Sequence, residues 1–337
     1  MGLRRKGWTV DGLDPIRLYP YPRAATPTLP LVTSPESPKL SLMLTLEYLA
    51  ELLQKHPEAA KTTTRSFRLG AHSFGGDSGP RLMGVVNLSP DSWYRESVAL
   101  GTEAAIERGR VLEAQGAHII DVGAESTLAH SARVGAEAQC SRLLPVVRGL
   151  CERGIIVSVE TYQPEVTRAC LEAGAKVINL TSGAPDDDLF RMVAAHDAAV
   201  ILCHVQGANV REVGDFDLCA DPVAFMREGF ERQIGQATRL GVSRIFVDPG
   251  LGFYYRNLQD SSLRVRHQMS VFLNTFRLRD LGWPVCHALP HAVEHFKEEV
   301  RCAEPFFAVL AALGRTDLFR THEVARVRPV LETLRTF

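Results

Sequence analysis

The sequence predicts an α/β protein, a (β/α)8 TIM barrel preceded by a proline-rich arm and an amphipathic helix. Two observations carry this. From about Leu82 onward, short β-rich runs alternate with helix-length segments, and eight such units fit in about 250 residues. The runs are also nearly continuous in apolar residues, as expected of parallel strands buried on both faces. A doubly wound open sheet shares the alternation, and the number of units favours the closed form.

The elements follow in order. Seven of the 19 prolines lie between Pro15 and Pro38. Proline supplies no backbone donor, so this segment reads as an extended arm. Ser41 reads as an N-cap for LMLTLEYLAELLQK, with Leu42, Leu46, Leu49 and Leu53 on one face and an end before Pro57. RSFRLGAHSF followed by GPRLM reads as a hairpin closing the bottom of the barrel. The eight strands are then LMGVVN (82–87), HIIDVG (118–123), IIVSVE (155–160), KVINL (176–180), AVILCHV (199–205), RIFVDP (244–249), PVCHAL (284–289) and LFRTHE (318–323). Helical patterns run around 102–115, 136–152, 164–173, 186–196 and 221–240. Gly116, Gly154, Gly174 and Gly241 fall just past helices, where a C′ glycine belongs. The expected division is an extension over 1–65 and the barrel over 66–337.

Composition narrows the function classes. Hydrophobic residues at 45% and charged residues at 23% describe a globular chain, not a disordered one. A net charge of −1 argues against coating nucleic acid, which needs excess positive charge. Residues 1–70 carry ten basic and six acidic side chains, a small excess that reads as solvated surface. Seven cysteines, an odd number without zinc-ribbon spacing, read as free thiols in a reducing cytoplasm. No apolar run is long enough to span a bilayer; the longest, Phe306 to Leu313, reads as a buried helix turn. MGLRRKGWTV has no apolar stretch behind its basic residues and does not read as a secretory signal. Gly2 is followed at position 6 by Lys6, where acylation wants Ser or Thr.

In a barrel of this kind, chemistry sits at the carboxyl ends of the strands. The polar residues there are Asn87, Asp121, Glu160, Asn179, His204 with Gln206, Asp248, His287, and Arg320 with His322 and Glu323. Two carboxylates and an amide, Glu160, Asp248 and Asn179, suit a flat heterocycle with several N–H donors and one or two acceptors, such as a pterin or guanine edge. Arg320 and His322 suit an anion or a planar ring. Asn87 suits a hard cation such as Mg²⁺ with phosphate companions. Asp121 is either a buried carboxylate bonded to backbone or to Asn87, or part of the site. His287, His291 and His295 recur every four residues, the spacing of a metal face on a helix. Pro290 interrupts it, so structural or substrate-facing roles are expected instead. Cys203 and Cys286 read as small core residues, and GAPDDD (183–188) as a helix start.

MGVVNLSPDSW, GAHIIDVGAEST, VSVETYQPEV, GAKVINLTSG, VDPGLGF and RTHEVA occur in that order. With these motifs the stretch from about Phe67 to Leu334 resembles the pterin-binding family whose best-known member is dihydropteroate synthase. The resemblance implies a TIM barrel that joins a pterin methyl diphosphate to p-aminobenzoate or a related aryl amine, as in folate biosynthesis. It implies Asn87 as the metal and diphosphate asparagine, with Mg²⁺. It implies Thr127 beside the diphosphate, Asn179 and Asp248 on the pterin edge with Asp121, Glu160 and Arg320, and Arg320 and His322 as an anion-binding pair. Asn87, Thr127, Asp248, Arg320 and His322 are the implied catalytic set. It also admits a homodimer, since family members often pair through barrel helices.

The departures are specific. The loop ESTLAH places Leu128 where the family's ESTRPG has arginine. Glu160 replaces an aspartate. Trp93 to Ser97 replaces Phe-Ser-Asp-Gly-Gly. Pro290, His291 and Ala292 replace a Ser-Arg-Lys run, with Arg95 and His291 as the candidate compensating residues. Two other readings therefore stay open: a pterin-binding paralogue without synthase activity, and a pterin-dependent methyltransferase acting on a corrinoid partner.

Overall fold

A computed structural model of the chain describes residues 44–89, 97–99, 101–126, 131–217, 219–253, 255–258 and 260–336. The chain divides into two units, 1–46 and 47–337. The proline-rich arm, Ser41, Leu42, Arg95, Thr127 and Leu128 lie outside the described residues.

Among the described residues, ten strands form two sheets. β1 (Phe67–Leu69) and β2 (His72–Phe74) pair antiparallel as the expected hairpin. The other eight are β3 (Arg81–Asn87), β4 (Ile119–Gly123), β5 (Val157–Thr161), β6 (Val177–Leu180), β7 (Ala199–Cys203), β8 (Ile245–Asp248), β9 (Cys286–Ala288) and β10 (Leu318–Thr321). They pair in parallel in the order β8-β7-β6-β5-β4-β3-β10-β9. The two ends meet through a parallel bridge between Val247 and Val285, where Val247 N–H donates to Pro284 O at 3.1 Å. The sheet is thus a closed barrel, as the eight units require.

Helices alternate with the barrel strands: α2 (Thr102–Ala114), α3 (Ala136–Cys151), α4 (Pro164–Glu172), α5 (Asp187–Ala195), α6 (Pro222–Arg239), α7 (Ser261–Asn274), the short α8 (Val293–Phe296), α9 (Ala303–Leu313) and α10 (Val324–Leu334). Among the described residues, none is long and apolar enough to cross a membrane. The acidic phrase 183–188 does start a helix: Asp186 caps α5, its side chain accepting from Leu189 N–H at 2.9 Å.

Neighbouring residues in register point the same way, so one inward row fixes all the others. Met83, Ile119, Val177, Ala199, Ile201, Phe246, Cys286 and Leu318 fill the lower barrel, closed below by Leu69 and Phe74 of the hairpin. Phe246 meets the rings of Phe67 and Phe74 at 5.0 and 5.6 Å. Two residues along β8 from Phe246 the inward position is Asp248. The interior therefore changes from apolar to polar within one side-chain layer.

Three expectations need correction. The helix preceding the barrel, α1 (Leu46–Lys55), buries Leu52, while Leu46 and Leu53 of the expected apolar face are 80% and 51% exposed. The run Phe306 to Leu313 buries Phe307, Ala308, Leu310 and Ala311 but exposes Phe306 and Leu313, because a helix on the barrel's outside has a solvent face. β7 stops at Cys203 and β10 at Thr321, so His204, His322 and Glu323 belong to the loops that follow.

Candidate active site

The strands bring Asp121, Glu160, Asn179, Asp248 and Arg320 to one cup in the barrel mouth. Register explains it. Asp121 pairs with Ser158, Glu160 with Asn179, and Cys203 with Asp248, all on inward rows. Asp121 is the hub. Its Oδ1 accepts from Ser158 Oγ at 2.6 Å, and its Oδ2 accepts from Asn179 Nδ2 at 3.1 Å and Arg320 Nε at 2.7 Å. A second Arg320 nitrogen donates to Glu160. The Cys203 thiol donates to Asn179 Oδ1 at 3.4 Å, which leaves Cys203 polar company the sequence did not foresee. Of the two readings left open for Asp121, the bond to Asn87 is not made, since Asn87 Nδ2 donates to Ser97 Oγ at 2.6 Å instead.

Three carboxylates around one guanidinium leave an excess of negative charge in a place with little water. Burial pushes Asp248 up to about 6, against the pull of the Gly250 N–H and of Arg320. Burial also raises Glu160; Arg320 opposes this, while Asp121 and Asp248 add to it. Burial works against the charge on Arg320, but Glu160 and Asp121 overcome it and hold the guanidinium firmly charged. Such a cup offers acceptors in excess of donors and suits a ligand rim rich in N–H groups.

Backbone geometry sets Asp248. Gly250 N–H donates to its Oδ1 at 2.8 Å. Gly250 holds φ +73°, and a Cβ there would lie 2.2 Å from His204 O, so only glycine allows this turn. Opposite, the Asn87–Ser97 bond turns Asn87 Oδ1 toward Gly123, where an added Cβ would stand 3.8 Å from that oxygen and from Glu160 Cβ. An amide oxygen on the edge of a cradle kept open by glycine fits a hard cation that brings most of its own oxygen ligands.

The histidines separate. His287 points outward, fully buried against Phe272, and shares a hydrogen bond of 2.7 Å with Thr275 Oγ1. Burial lowers it to about 3 and keeps it neutral. His295 is exposed on α8. The three-histidine face therefore does not form, because His287 is still strand. His204 also turns outward, onto Phe225 and Phe230.

His291 instead meets His322, their rings 4.9 Å apart, across Glu304 of α9. Glu304 Oε1 lies 2.7 Å from His322 Nδ1 and 3.2 Å from His291 Nε2. Its Oε2 accepts from the Thr321 hydroxyl and from the backbone N–H groups of His322 and Glu323 at 3.0 and 3.1 Å. Burial alone would raise Glu304, but the two imidazoles and their hydrogen bonds hold it far below the usual carboxylate range. Thus Arg320 and His322, expected as a pair facing an anion, are each engaged by carboxylates of the chain itself.

Sequence reasoning missed Glu304 and Arg211. The signal for Glu304 was a lone acid opening the apolar helix AEPFFAVLAAL. Arg211 donates to Ser126 O at 2.9 Å and Ser131 O at 2.6 Å, and lies 3.7 Å from Glu125. It ties together Ser126 and Ser131, which flank Thr127 in the sequence, and nothing in its local sequence marked it.

Residues 83–288 match the family model described as pterin binding enzyme. The dihydropteroate synthase type-3 of Escherichia coli is 28% identical over 75% of this chain and 97% of its own. The dihydropteroate synthase of Streptococcus pyogenes serotype M6 is 32% identical over 60% of this chain and 72% of its own. Among solved structures, the dihydropteroate synthase of Thermus thermophilus in complex with 4-aminobenzoate is 27% identical and covers 81% of this chain and 100% of its own, at a TM-score of 0.67. The matched span runs from the third residue of β3 to the end of β9 and takes in Asp121, Glu160, Asn179 and Asp248 of the cup, with Arg320 beyond it; the chain belongs to the pterin binding enzyme family.

Proposed function

We propose that the chain is a dihydropteroate synthase-type transferase that joins a pterin methyl diphosphate to p-aminobenzoate or a related aryl amine. The observation that carries the reading is the cup itself: Asp121, Glu160, Asn179 and Asp248 around Arg320, with acceptors in excess. A pterin rim presents N–H donors to carboxylates and both a donor and an acceptor to an amide. A solved relative, the Thermus thermophilus enzyme in complex with 6HMPPP, is 28% identical with a TM-score of 0.64.

In this reading Asp248 and Asn179 grip the pterin edge, and Arg320 holds Asp121 and Glu160 in place. In the transfer the methylene–oxygen bond to the diphosphate breaks and a carbon–nitrogen bond to the amine forms. Positioning of the amine and charge stabilisation on the departing diphosphate carry the rate. Asn87, with phosphate oxygens, would hold Mg²⁺, which supplies positive charge to the leaving group. Thr127 is proposed beside it; its sequence neighbours Ser126 and Ser131 are tied together by Arg211. Residues 1–65 are proposed as an extension to the barrel of 66–337. Seven free thiols suit a reducing cytoplasm.

Thermal shift of the full chain with pterin, with pterin diphosphate plus Mg²⁺, and with p-aminobenzoate tests the reading, alongside a turnover assay for dihydropteroate. Asp248→Ala and Asn179→Ala are each expected to weaken pterin binding by at least about tenfold, the first by losing a carboxylate's hydrogen bonds and the second an amide's. Normal binding by both variants places the ligand elsewhere. Pterin binding without turnover leaves a binding paralogue.

A further inference from the structure

We propose that His291, Glu304 and His322 form a binding site for a divalent transition-metal ion, zinc by ligand type, distinct from the oxygen site at Asn87. The three ligand atoms lie within 4.8 Å of one another, and two of the three separations are 2.7 and 3.2 Å. Two ligands on a tetrahedral zinc at about 2.05 Å stand about 3.4 Å apart. The cluster therefore reaches that geometry by small side-chain adjustments, the ion replacing the protons shared between Glu304 and the imidazoles.

The support behind the ligands matches what a metal carboxylate needs. Glu304 Oε2 is held by one hydroxyl and two backbone N–H groups, which directs Oε1 at the two rings. The Glu304 side chain is fully buried, while those of His291 and His322 are 10% and 12% exposed, so the pocket is dry but not sealed. Two imidazoles and one carboxylate are a three-ligand set that leaves a fourth position open. That donor set favours zinc and its neighbours over Mg²⁺, which prefers oxygen alone. His322 follows Arg320 by two residues and feels its charge, so the cluster neighbours the polar cup. An anionic oxygen suits the open position, and in the proposed transferase that oxygen belongs to the leaving diphosphate; this last step rests on the function proposed above.

The test begins with metal alone. Metal-stripped full-length protein is titrated with Zn²⁺ by calorimetry and with Co²⁺ by visible absorption, with no pterin present. One equivalent is expected to bind at micromolar concentration or tighter, with a tetrahedral cobalt spectrum lacking thiolate charge transfer. His291→Ala and His322→Ala are each expected to weaken it by about 100-fold or more, with folding checked by circular dichroism. His295→Ala and Cys302→Ser are expected to leave it unchanged. Absence of stoichiometric binding, or equal affinity in wild type and His291→Ala, overturns the site. Pyrophosphate is then added to the cobalt form. A spectral change supports an anionic oxygen at the open position, and no change overturns that step alone. Metal binding that persists when pterin fails to bind keeps this site while refuting the transferase reading.

Discussion

Replacing Asp248 with asparagine is expected to stabilise the protein while weakening its grip on the ligand, and the pH dependence identifies the cause. Asp248 is 4% exposed and faces Glu160, Cys203 and Cys286 as well as Arg320. It titrates at about 6 in the folded chain against 3.8 in an open one. Because the folded value is raised, the folded state holds the proton more tightly. Stability is therefore lost as pH rises through this window, and about 3 kcal/mol is gone once both states are ionised. The neutral amide of Asp248→Asn can still accept from Gly250 N–H and carries no such penalty. Of the total, about 1.4 kcal/mol falls between pH 5 and pH 8. Urea denaturation of wild type and variant at those two pH values, without ligand, measures it. The variant's advantage should grow by that amount from pH 5 to pH 8, while its pterin affinity at pH 8 falls by about tenfold or more. An advantage that stays constant across the two pH values refutes the reasoning, because Asp248 would then not titrate there.

Two further substitutions separate the cup from the scaffold. Arg320→Met removes the cation between Asp121 and Glu160 and leaves two buried carboxylates together, which should cost about 3–5 kcal/mol at pH 8 by urea denaturation and abolish pterin binding. Asp317→Ala breaks the buried pair in which Arg279 donates to both Asp317 oxygens at 2.9 and 2.8 Å. It should cost a similar amount of stability, yet leave pterin affinity unchanged in the folded protein, because Asp317 precedes β10 at the amino-terminal end of the barrel.

The barrel was legible because each strand is buried on both faces, and a run such as AVILC admits few other readings. Its closure was legible only as a count. The bond from Val247 to Pro284 joins strands whose pairing no local pattern specifies. Strand ends were read too long at His204 and at His322, since an imidazole after an apolar run continues the alternation whether or not the ladder does. The face of α1 was misjudged for a related reason. Leucines spaced along a helix define a stripe but not which part of it finds a partner, and Leu52 is buried where Leu46 and Leu53 are not.

The site divides along the same physical line. Asp121, Glu160, Asn179, Asp248 and Arg320 each stand within the last three residues of a strand, and the carboxyl ends of the strands converge by topology alone, so a one-dimensional reading could nominate them together. What it could not supply was their pairing. Arg320 is expected from sequence on an anion and on the pterin edge, and the structure adds that Asp121 and Glu160 of the chain itself hold it when no ligand is bound. The same holds for His322. An imidazole beside a fully buried acid is drawn to it, and Glu304 comes from a helix whose other residues are almost all apolar. Where the departures from the family pattern fall on strand ends, as with Glu160, the barrel absorbs one extra methylene by reaching Arg320. Where they fall in the segment after β9, new chemistry appears: His291, in place of a Ser-Arg-Lys run, meets an acid and a second imidazole. The strands therefore fix what kind of ring the mouth can hold, and the segment after β9 decides which charges meet its substituents.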